Sequence, residues 1–390
     1  MNTIVLYNGK IFTGVALMDH NTVIIKDGLI EDVVSNERFT SKDIPKGAEV
    51  YDMNGAVVSP GFIDTHIHGI KGYDTSDNSV DAIHGMSEAL VEHGCTSFCP
   101  TMYPQEQAQF LKGIKAISDA MGNEPGAEIL GHHLEGPFVS RDKHGALDVD
   151  YMQEVNMDLM RKYWETSQEK IAIMTVAPEL KNMRELALFG TKKGIVLSAG
   201  HSDATYENMV EGMQAGILHS THFFNAMRRL HHRDPGVVGG IMIHPNVSCE
   251  VIADGHHVHP AIIKLLLRVK PIHKIVMVTD ALRPTCQTSG KLLANGEEVY
   301  YSDGLFKKKS DDTIAGSALT MIKGVQYLNE IGVPMEDSLR MAACNPATIV
   351  SRQFDKGYII PGKAADITVF DKDFKVKLVM IKGVIKKNNL

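Results

Sequence analysis

Short apolar runs broken by Gly, Asn and Asp fill the chain up to about residue 58. Thr3-Ile4-Val5-Leu6-Tyr7 meets Asn8-Gly9, a two-residue reversal signal, ahead of Lys10-Ile11-Phe12, so a hairpin is expected there. Val23-Ile24-Ile25-Lys26 meets Asp27-Gly28 in the same way. The far end repeats this style in Ile367-Thr368-Val369-Phe370, Val376-Lys377-Leu378-Val379-Met380-Ile381, then Lys382-Gly383 before Val384-Ile385. Two β-rich ends around a different middle predict one small β-sandwich domain built from both termini, 1–58 and 359–390, flanking a larger domain, 59–358.

The middle alternates apolar strand-length runs with helical patterns. Strands are expected at 62–66, 95–101, 129–135, 171–177, 195–201, 217–222, 249–254 and 275–280. Helical patterns fall at 80–93, 105–121, 153–165, 181–190, 205–215 and 260–269, with a final pair at 317–331 and 336–350. Parallel β/α units in about this number close a (β/α)8 TIM barrel. An open doubly wound sheet would want a Gly-rich phosphate turn after its first strand. Here that strand ends in His66-Ile67-His68, so the barrel is the expected α/β fold.

Residues two apart on a strand share a face, which lines up Asp64, His66 and His68. Two imidazoles projecting together can share one metal ion, with a neighbouring carboxylate to orient a ring. The pair alone is a weak signal. The other expected strand ends strengthen it, carrying Glu135, His201, His222, Asp254 with His257, and Asp280. In a β/α barrel those ends ring a single pocket, and packing does not demand a set of metal-competent residues there. His132, His133, His231, His232, His244, His256 and His259 are assigned places on the surface, behind the ligands or along the substrate instead.

Charge and cysteine usage narrow the remaining classes. The net charge of -7 gives no reason to expect nucleic acid or an anionic membrane as partner. Met1-Asn2-Thr3-Ile4-Val5-Leu6 lacks the basic and long apolar regions of a secretory leader, and no apolar run approaches a membrane span. Five cysteines without Cys-x-x-Cys read as core thiols in a reducing compartment. A cytoplasmic protein is expected.

Several segments carry a resemblance: Pro60-Gly61-Phe62-Ile63-Asp64-Thr65-His66-Ile67-His68-Gly69, Leu134-Glu135-Gly136-Pro137-Phe138, Gly200-His201-Ser202 and Thr221-His222-Phe223-Phe224-Asn225-Ala226-Met227. The chain resembles the amidohydrolase superfamily and, more narrowly, its N-acetylglucosamine-6-phosphate deacetylase family. The resemblance extends through Ala253-Asp254-Gly255-His256-His257-Val258, Thr279-Asp280-Ala281, Asn345-Pro346-Ala347 and Gly362-Lys363-Ala364-Ala365-Asp366. It implies a divalent metal, one or two ions per subunit (zinc, iron or manganese). Glu135, His201 and His222 match ligands of the shared ion, and His66 and His68 match members that hold a second, with Glu135 bridging. Asp280 matches the catalytic carboxylate and contacts the metals; His257 matches a substrate-facing histidine. Asn225 and Ala226 match sugar-phosphate contacts, and Arg233 matches a phosphate-binding arginine that reaches a neighbouring subunit, which implies a homodimer. Where some relatives carry a substrate-binding histidine, this chain has Leu147, with Lys143 and His144 near enough to substitute. Ala315-Gly316-Ser317 reads either as a loop closing over substrate or as a plain helix N-cap.

The implied reaction is metal-dependent hydrolysis of the N-acetyl group of N-acetylglucosamine-6-phosphate; its galactosamine epimer is the near alternative. Cyclic amidases of this fold bridge their metals with a modified lysine, and no convincing lysine sits at a strand end here. A non-catalytic scaffold would lose ligands or the base, whereas this chain keeps them together. Gly236-Val237-Val238-Gly239-Gly240 lacks the context and lysine of a nucleotide loop, which excludes nucleotide binding.

Overall fold

The computed structural model describes residues 3–39, 44 and 46–390. Eight strands from the two ends of the chain lie in one sheet. Its order runs Val384–Asn388, Val376–Ile381, Ile367–Phe370, Val57–Pro60, Thr3–Phe12, Leu17–Lys26 and Leu29–Ser35, with Glu49–Asp52 also beside Thr3–Phe12. Asp27-Gly28 and Lys382-Gly383 are the expected two-residue reversals, each with both residues at positive φ (49° and 84°; 48° and 76°). A Cβ on Gly383 would lie 2.5 Å from the Cα of Gly28, so the two turns pack directly on one another.

The hairpin expected at Asn8-Gly9 does not form. Thr3–Phe12 is one strand of 10 residues, and Asn8 (φ 58°) sits in a bulge where the register with Leu17–Lys26 jumps. At that bulge the strand changes its parallel neighbour from Glu49–Asp52 to Val57–Pro60. The amides of Met53 and Gly55 donate to the carbonyls of Tyr7 and Asn8 at 2.8 and 2.9 Å. The left-handed preference of Asn-Gly is thus spent on a bulge, because a second strand fills the space a reversal would have used.

The middle of the chain is α/β, with its parallel strands forming a half-barrel. Phe62–Ile67, Cys95–Met102, His132–Glu135, Ile171–Val176, Val196–Ala199 and Ile217–Ser220 pair in sequence order, all parallel. Cys249–Ile252 and Ile275–Val278 form a further parallel pair. Phe62–Ile67 and Cys95–Met102 are buried along their whole length, as strands covered on both faces must be. The connecting helices include Val80–Val91, Gln107–Ala120, Met157–Thr166, Met183–Lys193, Tyr206–Gln214 and Pro260–Val269. Gly236–Ile243, the glycine-rich run, is a helix as well.

Two features depart from expectation after Asp280. Leu293–Ala294, Glu297–Ser302, Leu305–Lys308 and Ile314–Ser317 make a four-stranded antiparallel sheet. Ala315-Gly316-Ser317 is therefore strand, not a helix start; the helix Met321–Glu330 begins after Thr320. A buried ionic cluster ties the terminal sheet to the half-barrel. Lys356, 1% exposed, pairs with Asp366 and lies 2.8 Å from Glu128, which Arg352 and Lys382 also meet at 3.2 and 3.0 Å. Among the described residues, no helix is long and apolar enough to cross a membrane.

Candidate active site

Each ligand-type side chain leaves the end of a parallel strand. His66 closes Phe62–Ile67 and Glu135 ends His132–Glu135. His201, His222 and Asp280 each lie two residues past their strands, Val196–Ala199, Ile217–Ser220 and Ile275–Val278. All three have positive φ (45°, 28° and 51°), a conformation that side chains other than glycine adopt at a cost. The shared strained turn swings each chain out of the sheet while aiming its side chain inward.

The heteroatoms converge in two linked sets. Nε2 of His201 and Nε2 of His222 are 3.1 Å apart and lie 3.2 and 3.1 Å from Glu135 Oε1. Nε2 of His66 and Nε2 of His68 are 3.3 Å apart, with Asp280 Oδ1 at 3.5 and 3.3 Å. The second oxygen of Glu135 faces His68 Nε2 at 3.4 Å, so this carboxylate stands between the sets.

Hydrogen bonds on the far sides of the rings decide what these atoms present. Nδ1 of His68 donates to the Thr101 carbonyl at 3.0 Å, and Nδ1 of His201 donates to the Lys143 carbonyl at 2.9 Å. Nδ1 of His66 donates to Glu250 Oε2 at 2.9 Å. In the neutral rings these Nε2 atoms are then bare lone pairs. Lone pairs facing each other at such distances repel unless an electrophile lies between them. Burial alone would lower the two pKa values, yet Glu250, Asp280 and Glu135 raise His66 to about 9, and Asp280 and Glu135 raise His68 to about 10. The same field that attracts protons suits a divalent cation, and two sets of two nitrogens and a carboxylate fit zinc, iron or manganese.

His68, Glu135, His201, His222 and Asp280 open into a cavity of about 260 Å³. One wall holds Asn225, Ala226, Leu147 and Tyr103; the antiparallel sheet supplies the other with Asn295, Lys308, Thr313 and Ala315. His257 also faces the cavity, its Nδ1 donating to Asp254 Oδ2 at 2.6 Å. Burial pulls the His257 pKa down, but this hydrogen bond and the charge of Asp254 outweigh it and raise the value.

A model of the amidohydrolase family matches residues 57–386, and one described as the NagA composite domain matches residues 5–58. The chain belongs to the amidohydrolase family. Within it, the chain belongs with the N-acetylglucosamine-6-phosphate deacetylases. It is 34% identical to the one from Bacillus subtilis over 95% of both chains, and 33% identical to the human one over 85% of this chain and 84% of that. The solved deacetylase structure from Pasteurella multocida superposes with TM-score 0.91 at 28% identity, over 99% of this chain and 100% of that one. A mutant of the Mycobacterium smegmatis deacetylase, solved with N-acetyl-D-glucosamine-6-phosphate, gives TM-score 0.92 at 25% identity over the whole of both chains. This amidohydrolase is accordingly an enzyme of hydrolytic type.

The structure brings His66, His68, Glu135, His201, His222, Asp280, His257, Asn225, Ala226 and Ala315 to one place. Two expected residues stand elsewhere. Arg233 is exposed, with Nη1 2.8 Å from His232 Nε2, and is not among the residues lining this chain's cavity. His144 is exposed too; its carbonyl accepts from the Leu147 amide at 2.9 Å, in a turn that points Leu147 inward instead.

Asp64 was expected beside the rings as an orienting carboxylate. It accepts instead from the Thr279 hydroxyl at 2.6 Å and from the Thr279 and His66 amides, and burial raises its pKa to about 7. The ring-orienting carboxylate is Glu250, which the sequence reading missed. One signal was available: a glutamate inside the apolar run Cys249-Glu250-Val251-Ile252 must find partners if that strand is buried. Lys308 and Tyr103 were missed as well, and nothing local in their runs marks them.

Proposed function

We propose that this enzyme hydrolyses the N-acetyl group of N-acetylglucosamine-6-phosphate, releasing acetate and leaving glucosamine-6-phosphate. The observation that carries the reading is the meeting of Glu135, His201, His222 and Asp280 at the floor of a cavity walled by His257, Asn225 and Ala226. The chemistry a divalent cation supplies at such a site is Lewis acidity, which polarises a carbonyl and lowers the pKa of water toward about 7.

The chain's own groups perform the rest. Asp280, only 13% exposed and facing the cavity, takes a proton from the attacking water as general base. The water oxygen bonds to the acetyl carbon, the C–N bond breaks, and Asp280 returns the proton to the departing sugar nitrogen. His257 faces the acetyl oxygen and donates Nε2–H as negative charge develops there. Because its Nδ1 proton is committed to Asp254, His257 carries an Nε2 proton only as imidazolium, the form that Asp254 favours.

Two ions per subunit suit the donor sets, one among Glu135, His201 and His222 and one among His66, His68 and Asp280, with Glu135 between. Zinc, iron and manganese are all compatible with these donors. The active form is a homodimer in which Arg233 completes the phosphate pocket of the neighbouring subunit; its exposure outside its own cavity supports this. Asn225 and Ala226 hold the sugar phosphate, Ala315 bounds it on the far wall, and His144 reaches it only if its turn shifts.

The parallel strands close into a full (β/α)8 barrel spanning 59–358. Support comes from Phe223 N to Glu250 O at 2.9 Å, and from His68 N to Ala281 O and Asp280 N to His66 O, both at 2.9 Å. The single sheet of terminal strands, from 1–58 and 359–390, folds over on itself as a β-sandwich domain, a reading supported by the contact of Gly28 with Gly383 from its two far ends; of that region residues 1, 2, 40–43 and 45 lie outside the described residues. Free cysteines, four of them buried, support a cytoplasmic location.

The test is acetate release by metal-reconstituted protein from N-acetylglucosamine-6-phosphate, its galactosamine epimer and unphosphorylated N-acetylglucosamine. Fast release from the first alone is expected. Release from the epimer would assign the wall around Leu147 to the other sugar, and silence on all three would refute deacetylation.

A further inference from the structure

Glu250 is buried on the strand Cys249–Ile252, does not itself line the cavity, and lies outside the two ligand sets described above, although it groups with His66 and His133. A carboxylate in such a place is costly unless it is paired and hydrogen-bonded. Its Oε2 accepts two hydrogen bonds at once, from His66 Nδ1 at 2.9 Å and from the backbone amide of His222 at 3.0 Å. Its Oε1 lies 3.5 Å from Nε2 of His219, whose Nδ1 is 2.8 Å from the Ser248 hydroxyl. One oxygen therefore binds a ring from the His66, His68 and Asp280 set and the backbone that presents a ring of the Glu135, His201 and His222 set.

His133 is a further buried ring against His66, at 4.6 Å between ring centroids. Both its nitrogens are engaged, Nδ1 with the Thr65 carbonyl and Nε2 with the Thr175 hydroxyl, each at 2.9 Å. His133 is thus neither a competing ligand nor an alternative partner for Nδ1 of His66. That leaves Glu250 as the group that decides which His66 nitrogen carries the proton.

We propose that Glu250 is the positioning residue that makes His66 a metal ligand, and so determines that this chain takes a second ion. The inference rests on the two-ion reading. A hydrogen bond to an anion commits the ring proton to Nδ1, aims the bare Nε2 at His68 and Asp280, and makes that nitrogen a stronger donor. The coupling to His222 is positional only, through a backbone amide, so the first ion depends on the hydrogen bond and the second on the charge as well.

The test is titration of metal-free protein with cobalt(II), read by visible absorption and by metal content after dialysis, for wild type, Glu250→Gln and Glu250→Ala. A glutamine oxygen placed at Oε2 still accepts from both donors but carries no charge. Two ions per chain are expected for wild type. In Glu250→Gln the weaker step should lose about 10- to 100-fold in affinity while the tighter step changes by less than about twofold. Glu250→Ala, with both donors orphaned, should lose the second ion and hold the first more weakly than the glutamine variant does; if it does not fold, the glutamine variant carries the test. Equal weakening of both steps would reduce Glu250 to a structural plug and overturn the proposal, as would two unchanged steps. Wild type binding only one ion would overturn the two-ion reading itself, a result distinct from either.

Discussion

Asp254→Asn isolates what the partner of His257 contributes. The Asp254 carboxylate accepts from His257 Nδ1 at 2.6 Å and from the backbone amides of His256 and His257, both at 2.9 Å. An asparagine oxygen can keep the two amide bonds, so the turn should persist while the charge beside the imidazole is lost. A hydrogen bond to a charged group is worth about 1.5–3 kcal/mol, which at about 1.4 kcal/mol per decade is roughly 10- to 150-fold in rate. The native His257 pKa is raised, so the imidazolium persists to higher pH than for an ordinary histidine, and activity should fall only as pH rises through that raised value. In the variant the value drops, and the alkaline limb should move to lower pH. Near neutral pH, kcat/KM for N-acetylglucosamine-6-phosphate should be lower by about the factor above. The gap should narrow only once pH falls below the variant's own His257 value, which burial still lowers and the Asp254 charge no longer raises. The assay is acetate release against pH for both proteins. A uniform loss at every pH with an unmoved alkaline limb would refute Asp254 as the group that keeps His257 charged.

Four further outcomes follow from other contacts. Asp280→Asn should cut kcat by about 10²- to 10⁴-fold while the ion held by Glu135, His201 and His222 remains, measured by turnover and metal content together; near-normal turnover would remove Asp280 as the base. Arg233→Ala should raise KM for the phosphorylated sugar by about tenfold or more with little change in kcat, and titrating inorganic phosphate as inhibitor should show the same loss. Lys356→Met leaves Asp366 buried without its cation, and Glu128 with Arg352 and Lys382 alone, and should cost about 3–5 kcal/mol by denaturant unfolding. The same cluster sets an acid limit: burial would raise Glu128, but Lys356, Lys382 and Arg352 hold it down to about 2. Its contribution should be intact above the ordinary glutamate range and disappear as pH falls toward that value.

Chemistry carried on a single short run was legible along the chain. A strand pattern and its terminal residue sit side by side in sequence, so His66, Glu135, His201, His222 and Asp280 could each be assigned to a strand end before any fold was known. Turn chemistry at Asp27-Gly28 and Lys382-Gly383 was equally local. At Asn8-Gly9 the same dipeptide became a bulge, because Val57–Pro60 supplies a new parallel neighbour from far along the chain. Glu250 and His66 are 184 residues apart, and their bond exists only once their strands flank Ile275–Val278 and face one interior. The antiparallel sheet that walls the cavity, the inward turn of Leu147 and the outward place of Arg233 are of the same kind. The sequence by itself determined which side chains stand at the ends of strands, since period and turn signals act over a few residues. Only the tertiary structure decided which of them meet and which protons they carry, since hydrogen bonds and lone-pair contacts depend on distances between segments that nothing in the local pattern encodes.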